Sequence, residues 1–437
     1  MSAPDPRQSA RPAALAYRSY VLTVLVIVYA FNFVDRQIVG ILAIPIKADL
    51  KLSDAELGMM GGLAFALFYT LLGIPIARLA DRVSRIRIMS IALALWSLMT
   101  AVCGVTTSFG QLFLARLGVG VGEAGGVAPA YSLICDYFPP KERARALSVY
   151  SFGIPIGSAV GIVAGAYLTR LVSWRVAFIV VGIAGIALTP LLRFGVREPR
   201  RGALDSSAAA AQRAAAEWPP GQTPTLWRVC CTLGSKRSFW GLALGASCSS
   251  MMGYGLFFWM PSLFVRSFGL SLVAASLSFG SLILVGGLIG IWCGGVAADR
   301  YGQQNRSRYA LYPAIGFIAT VPFYCVGVLS TNLGLCLAVL IVPTALGLAW
   351  LGPVLAAVQQ LVPSNMRATA SALFLFINNL IGIGLGSTLI GLLSDALHVR
   401  AGAESLRYAI LAGTSFYLVA AALLIFASKH LDAEWQD

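Results

Sequence analysis

Long apolar runs constrain this chain more than any other feature. Runs of about 20 residues or more, the length a helix needs to cross a bilayer core of about 30 Å, recur from one end to the other. About twelve can be cut, at 19–46, 56–80, 86–106, 110–138, 143–169, 174–195, 237–265, 271–298, 308–330, 333–361, 367–394 and 405–428. Hydrophobic residues make up 58% of the 437 and charged residues only 11%. A soluble domain carries about a quarter charged residues, so this is a membrane protein with many crossings. No cleavable leader is expected, because the stretch before the first run is polar and carries Arg7, Arg11 and Arg18.

The net charge of +14 does not point to nucleic acid. Basic residues gather in alternate loops, as the positive-inside bias requires. Arg78, Arg82, Arg85 and Arg87 follow the second run, and Lys141, Arg143 and Arg145 follow the fourth. Arg300, Arg306 and Arg308 follow the eighth, and Arg367 follows the tenth. Arg170, Arg175, Arg266, Arg400 and Arg407 are exceptions. The balance places both termini in the cytoplasm of what is expected to be a bacterial inner membrane, with membrane lipids as neighbours. The eight cysteines show neither metal-ligand spacing nor a disulfide framework, and there are two histidines, so no metal and no cofactor are expected. No nucleophile–base pair is visible, so an enzyme is not expected.

Asp35 and Arg36 interrupt the first run. An ionised side chain near the middle of a spanning helix costs about 2.5–3.5 kcal/mol on insertion scales, so it pairs or lines a water-filled path. Neighbours on a helix point about 100° apart, so these two satisfy each other poorly. Arg36 needs an anion from another helix, and Asp35 is expected to face a cavity. The fourth run offers Glu123, among Gly118, Gly120, Gly122, Gly125 and Gly126, which let a neighbouring helix come close. At 1.5 Å per residue Glu123 is about 18 Å deep and Asp35 about 24 Å deep, both near the midplane. A desolvated carboxylate binds a proton more readily, and a nearby arginine opposes this. A contact that breaks and reforms would then take up and release a proton. The alternative is a buried pair that only sets helix register.

The two halves repeat in the same orientation. Asp81-Arg82 follows the second run, and Asp299-Arg300 follows the eighth. FPPKERARA (Phe138 to Ala146) and VPSNMRATA (Val362 to Ala370) enter the fifth and eleventh in register. Such repeats put a substrate site between two halves. The expected fold is an all-α membrane protein of twelve transmembrane helices in two pseudo-symmetric six-helix bundles, 1–195 and 237–437, joined by a cytoplasmic linker at 196–236. Part of that linker is expected to be helical. Asp81, with Arg82 or Arg85 beside it, would dock at the start of the eleventh helix near Arg367. Asp299 with Arg300 would dock at the start of the fifth near Arg143. Each contact would close a cytoplasmic gate, since helix N-termini attract negative charge.

The residues carry a resemblance at this point. Arg116-xxx-Gly120-x-Gly122 and the loop Ala77 to Arg87 resemble motifs of the major facilitator superfamily, with Ala77 and Ser84 where glycine is usual. Gly295-Val-Ala-Ala-Asp299-Arg300-Tyr-Gly302 resembles the same loop motif in the second half. Asn32-x-x-Asp35-Arg36, Gly122-Glu123-Ala124 with Pro129, and Asp136-x-Phe138-Pro139 resemble Spinster proteins, which move lysolipids and sphingolipid phosphates. The resemblance implies a coupling site at Asp35, Arg36 and Glu123. Gly153, Gly157, Gly161 and Gly165, with Pro155, read as a close-packing seam.

The seventh run is uncharged and rich in Met251, Tyr254, Phe258 and Trp259, and the eleventh adds Asn378 and Asn379. Together with Asn32 and Tyr131 these are the candidate cavity residues, although core packing explains the seventh run equally well. Intramembrane charge thus falls in the first half. An amphiphile fits that asymmetry, its head toward Arg36 and Arg116 and its tail along the aromatic wall. The expected activity is proton-coupled transport of a lysolipid or sphingolipid-like molecule by a monomer. The alternatives are a multidrug exporter, an organic-anion:proton symporter, or an uncoupled scramblase or channel-like path.

Overall fold

The computed structural model describes residues 6–80, 82–199, 226–297, 305–362 and 366–435. Among them there is no strand. The helices before the linker are α1 (Pro6–Leu50), α2 (Asp54–Gly61), α3 (Leu63–Ala80), α4 (Arg85–Cys103), α5 (Phe109–Glu123), α6 (Val127–Tyr137), α7 (Pro140–Ser151), α8 (Gly153–Leu171) and α9 (Trp174–Gly195). After it come α10 (Leu226–Gly234), α11 (Arg237–Phe268), α12 (Leu272–Ala297), α13 (Arg308–Leu329), α14 (Leu333–Leu346), α15 (Leu351–Gln359), α16 (Arg367–Ala401), α17 (Ser405–Gly413) and α18 (Ser415–Glu434). The described end of the linker, α10, is helical; the expectation for 200–225 lies outside the described residues.

Prolines explain three interruptions inside the expected spans. Proline lacks the N–H that would bond to the carbonyl four residues earlier. Pro129 frees Gly125, and the fourth span divides into α5 and α6. Pro155 frees Ser151, where α7 gives way to α8. Pro353 frees Ala349, between α14 and α15. The fourth and tenth spans, at matching places in the two halves, are therefore both broken.

By length and hydropathy alone, ten described segments are candidates to cross a membrane. The difference from twelve lies in two places. Phe109–Tyr137 drops out because Arg116, Glu123 and its many glycines lower its mean hydropathy. Thr369–Glu434 counts as a single 66-residue candidate although the chain reverses near Gly402, whose φ is 53°.

Close packing sets α1 in place. The glycine seam of α8 lies along it: a Cβ on Gly161 would sit 2.7 Å from the Cα of Val34. Polar caps mark helix starts, with Ser84, Ser108 and Ser173 each accepting from a backbone N–H one turn on.

Candidate functional site

Asp35 and Arg36 are successive residues of α1, and their side chains part company. Asp35 is 0% exposed. It accepts a hydrogen bond from Thr100 of α4 and pairs with Arg116 Nη1 of α5 at 3.2 Å. Arg36 turns the other way and donates from Nε to Glu123 Oε2 at 2.6 Å. Arg116 and Glu123 are seven residues apart, two helical turns, so one face of α5 serves both pairs. The adjoining face of α5 approaches α4 through Gly122, whose Cβ would lie 2.6 Å from the Trp96 backbone nitrogen.

An aromatic wall encloses the cations. The Arg36 guanidinium carbon stands 4.7 Å from the Tyr69 ring centre, 4.8 Å from Phe65 and 5.1 Å from Phe33. Phe65 also receives Arg116, at 5.7 Å. Such contacts stabilise a cation by about 0.5–2 kcal/mol each. From the second half, Tyr254 of α11 stands next to Arg36, so the site lies on the boundary between the halves.

The site keeps polar atoms in reserve. Arg36 Nη2, Glu123 Oε1 and Asn32 Oδ1 are buried without a hydrogen-bond partner among the described residues. Asn32 lies one turn before Arg36. An unpaired buried polar atom costs about 1–3 kcal/mol. Tyr131, 38% exposed, stands edge-on to Tyr150, which stacks on Tyr29 at 4.3 Å.

The structure corrects several expectations. Asp35 does not face a cavity; Arg116 and Thr100 seal it inside the first half. Arg116, 1% exposed, is not free for a substrate head. Met251, Phe258 and Trp259 are buried where helices meet. The Met251 carbonyl abuts Gly386, and a Cβ on Gly40 would sit 3.0 Å from the Phe258 carbonyl. Trp259 donates to the Ser387 carbonyl at 2.8 Å. Asn378 accepts from Ser250 at 2.9 Å and ties α16 to α11.

Arg85 does not reach the second half. It is 1% exposed and bonds Glu198 at 2.7 Å, Ser132 at 2.7 Å and Asp136, clamping the start of the linker to α4 and α6. Burial pushes the Glu198 carboxyl up, but Arg85, the Ile86 amide and Ser84 outweigh it and hold it below the usual range. Arg82 is exposed. Asp81, Asp299 and Arg300 lie outside the described residues, as do the side chains of Arg143 and Arg367.

A second polar cluster was missed from the sequence. At the end of the molecule where α1 meets α2, Asp54 joins the halves. Its carboxylate binds Arg266 of α11 through two bonds, 2.7 and 2.8 Å. It also takes Lys47 at 2.6 Å and Ser394 at 2.9 Å. Asp395 of α16 accepts from the Asp54 and Ala55 amides at the N-terminus of α2, at 3.2 and 2.8 Å. Ser387 donates to the Gly58 carbonyl at 2.8 Å. The signal was available: Ser53-x-x-Glu56 is a capping box, and Arg266 was an exception to the loop-charge bias. Arg175 and Arg407, two other exceptions, pair with Asp49 and Glu404.

A family model described as Major Facilitator Superfamily matches residues 25–387. The chain belongs to that superfamily. It is 33% identical over 407 residues to an MFS-type efflux pump of Mycolicibacterium smegmatis, with 92% of this chain and 90% of that protein covered. It is 28% identical to protein spinster homolog 1 of Homo sapiens, over 86% of this chain and 73% of that one. A crystal structure of a bacterial homolog to the human lysosomal transporter Spinster, inward-facing and unoccupied, superposes with a TM-score of 0.83 at 30% identity, covering 96% and 99% of the two chains. The Spinster resemblance therefore extends over nearly the whole chain. This is a multi-pass membrane transporter of the superfamily, Spinster-like in sequence and fold.

Proposed function

We propose that this transporter moves an amphipathic, lipid-like molecule, of the lysolipid or sphingolipid type, by proton-coupled alternating access across a bacterial inner membrane with both termini in the cytoplasm. The observation that carries this reading is the Arg36–Glu123 pair with one unpaired atom on each partner. An anionic head entering from the boundary between the halves competes with Glu123 for Arg36. The displaced Glu123 is left buried without its cation, and taking a proton relieves that cost. Departure of the head lets the pair reform and the proton leave. The basic loops, which favour the side where the linker lies, support the orientation.

The test is uptake of a radiolabelled lysophospholipid into proteoliposomes with and without an imposed pH gradient. Wild-type uptake follows the gradient and is accompanied by proton flux. Glu123→Gln loses the gradient dependence and at least tenfold of the driven rate. If Glu123→Gln keeps gradient-dependent uptake, the coupling role is wrong.

The efflux-pump relative favours a second reading, export of structurally varied drugs. Arg36 and its aromatic neighbours would serve anionic compounds in that case. Competition by unrelated lipophilic anions, with none by lysophospholipids, would favour it.

A further inference from the structure

We infer that α10, the helix at the end of the linker, lies in the plane of the membrane and binds anionic phospholipid headgroups through its outer side. The helix has two unlike sides. Val229 and Leu233, one turn apart, are 0% exposed and join the apolar core where α10 meets α11 and α16. Trp227 and Cys231, also one turn apart, lie on the opposite side at 100° per residue. Trp227 is 77% exposed, and Cys231 is exposed.

The turn from α10 into α11 fixes where that outer side sits. Lys236 donates to the Glu434 carbonyl at 2.6 Å, and the Glu434 carboxylate accepts from the Arg237 and Ser238 amides, both at 2.9 Å. Trp240, in the first turn of α11, donates from its indole nitrogen to the Gly234 carbonyl at 3.0 Å. Its ring is 44% exposed on the outer wall of the bundle, where the apolar segment Arg237–Phe268 begins. The end of α10 is therefore tied to the wall at the depth where α11 enters the bilayer.

The bilayer is the occupant that fits. The outer side of α10 continues the exposed wall at Trp240. Tryptophan favours the headgroup depth, where the ring leaves water and the N–H stays in a polar layer. Residues 226–237 carry Arg228, Lys236 and Arg237 and no carboxylate, and both arginines are exposed. A short helix with tryptophan and arginine outward and aliphatic residues packed on the protein suits a negatively charged leaflet.

The experiment places an environment-sensitive fluorophore on Cys231 of the full-length protein, with the other cysteines replaced, at one copy per nanodisc. Lipids spin-labelled at the headgroup should quench it, and iodide in the water should not. Labelled phosphatidylglycerol should quench up to about fivefold more than labelled phosphatidylcholine for each arginine in contact. Arg228→Gln with Arg237→Gln should bring the two lipids to equal quenching while the probe keeps its depth, an outcome misfolding would not produce. Trp227→Ser should let iodide reach the probe. Quenching by iodide alone, or lipid quenching in the wild type that ignores headgroup charge, overturns the inference. Protection that appears only when two copies share a disc assigns the face to a second copy and overturns it as well.

Discussion

Two neighbouring charges on α1 have unequal roles. Asp35 is a staple: Arg116 and Thr100 occupy both of its oxygens, and α1, α4 and α5 meet on it. Arg36 is less fully enclosed, 9% exposed at its side chain, with one nitrogen unpaired among the described residues. Removing one member of a buried pair costs about 3–5 kcal/mol because the other charge is left without compensation. Asp35→Asn is therefore expected to lower the thermal unfolding midpoint in detergent more than Glu123→Gln, since Arg36 keeps its three aromatic rings. An equal or reversed order would remove the distinction. The scarcity of intramembrane charge made the Arg36–Glu123 partnership legible in the sequence. The Asp35–Arg116 partnership was not, because nothing local says which way adjacent side chains turn once four helices surround them.

At the scale of the helix, the breaks and the close approaches carry the site. Glu123 is the last residue of α5, placed there because Pro129 ends the hydrogen-bond ladder at Gly125. Gly122, beside it, has Trp96 backbone where a side chain would stand. Gly122→Leu is expected to push α5 off α4, carry Glu123 away from Arg36 and reduce transport at least tenfold. The shift is read by loss of protection from hydrogen exchange in 119–126. Unchanged exchange and transport would show that the contact is not needed. Glycine clusters and prolines announced close packing and interruption from the sequence. Which helix lies across each glycine was not announced, because a glycine specifies room and not the neighbour that fills it.

Across the whole molecule, the halves are held at the Asp54 end by a network of charged hydrogen bonds, each worth about 1.5–3 kcal/mol. Alternating access requires that network to open. Arg266→Gln should shift the population toward a form open at that end by about tenfold or more. Spin labels at Lys51→Cys and Val399→Cys, with the native cysteines replaced, should report longer distances. An unchanged distribution would exclude the lock. Of the arginines that broke the loop-charge bias, Arg175 and Arg266 pair with carboxylates 126 and 212 residues away, a relation visible only in three dimensions, whereas Arg407 pairs with Glu404 three residues before it. The membrane class, the internal repeat, the superfamily and the Arg36–Glu123 contact could all be read from order along the chain, because apolar run length and scarce charge are one-dimensional quantities.

Pairing across distant segments could not be read that way. Asp54 with Arg266 and Asp35 with Arg116 join side chains 212 and 81 residues apart. Their directions are set by how whole helices rotate to bury the rest of their surface.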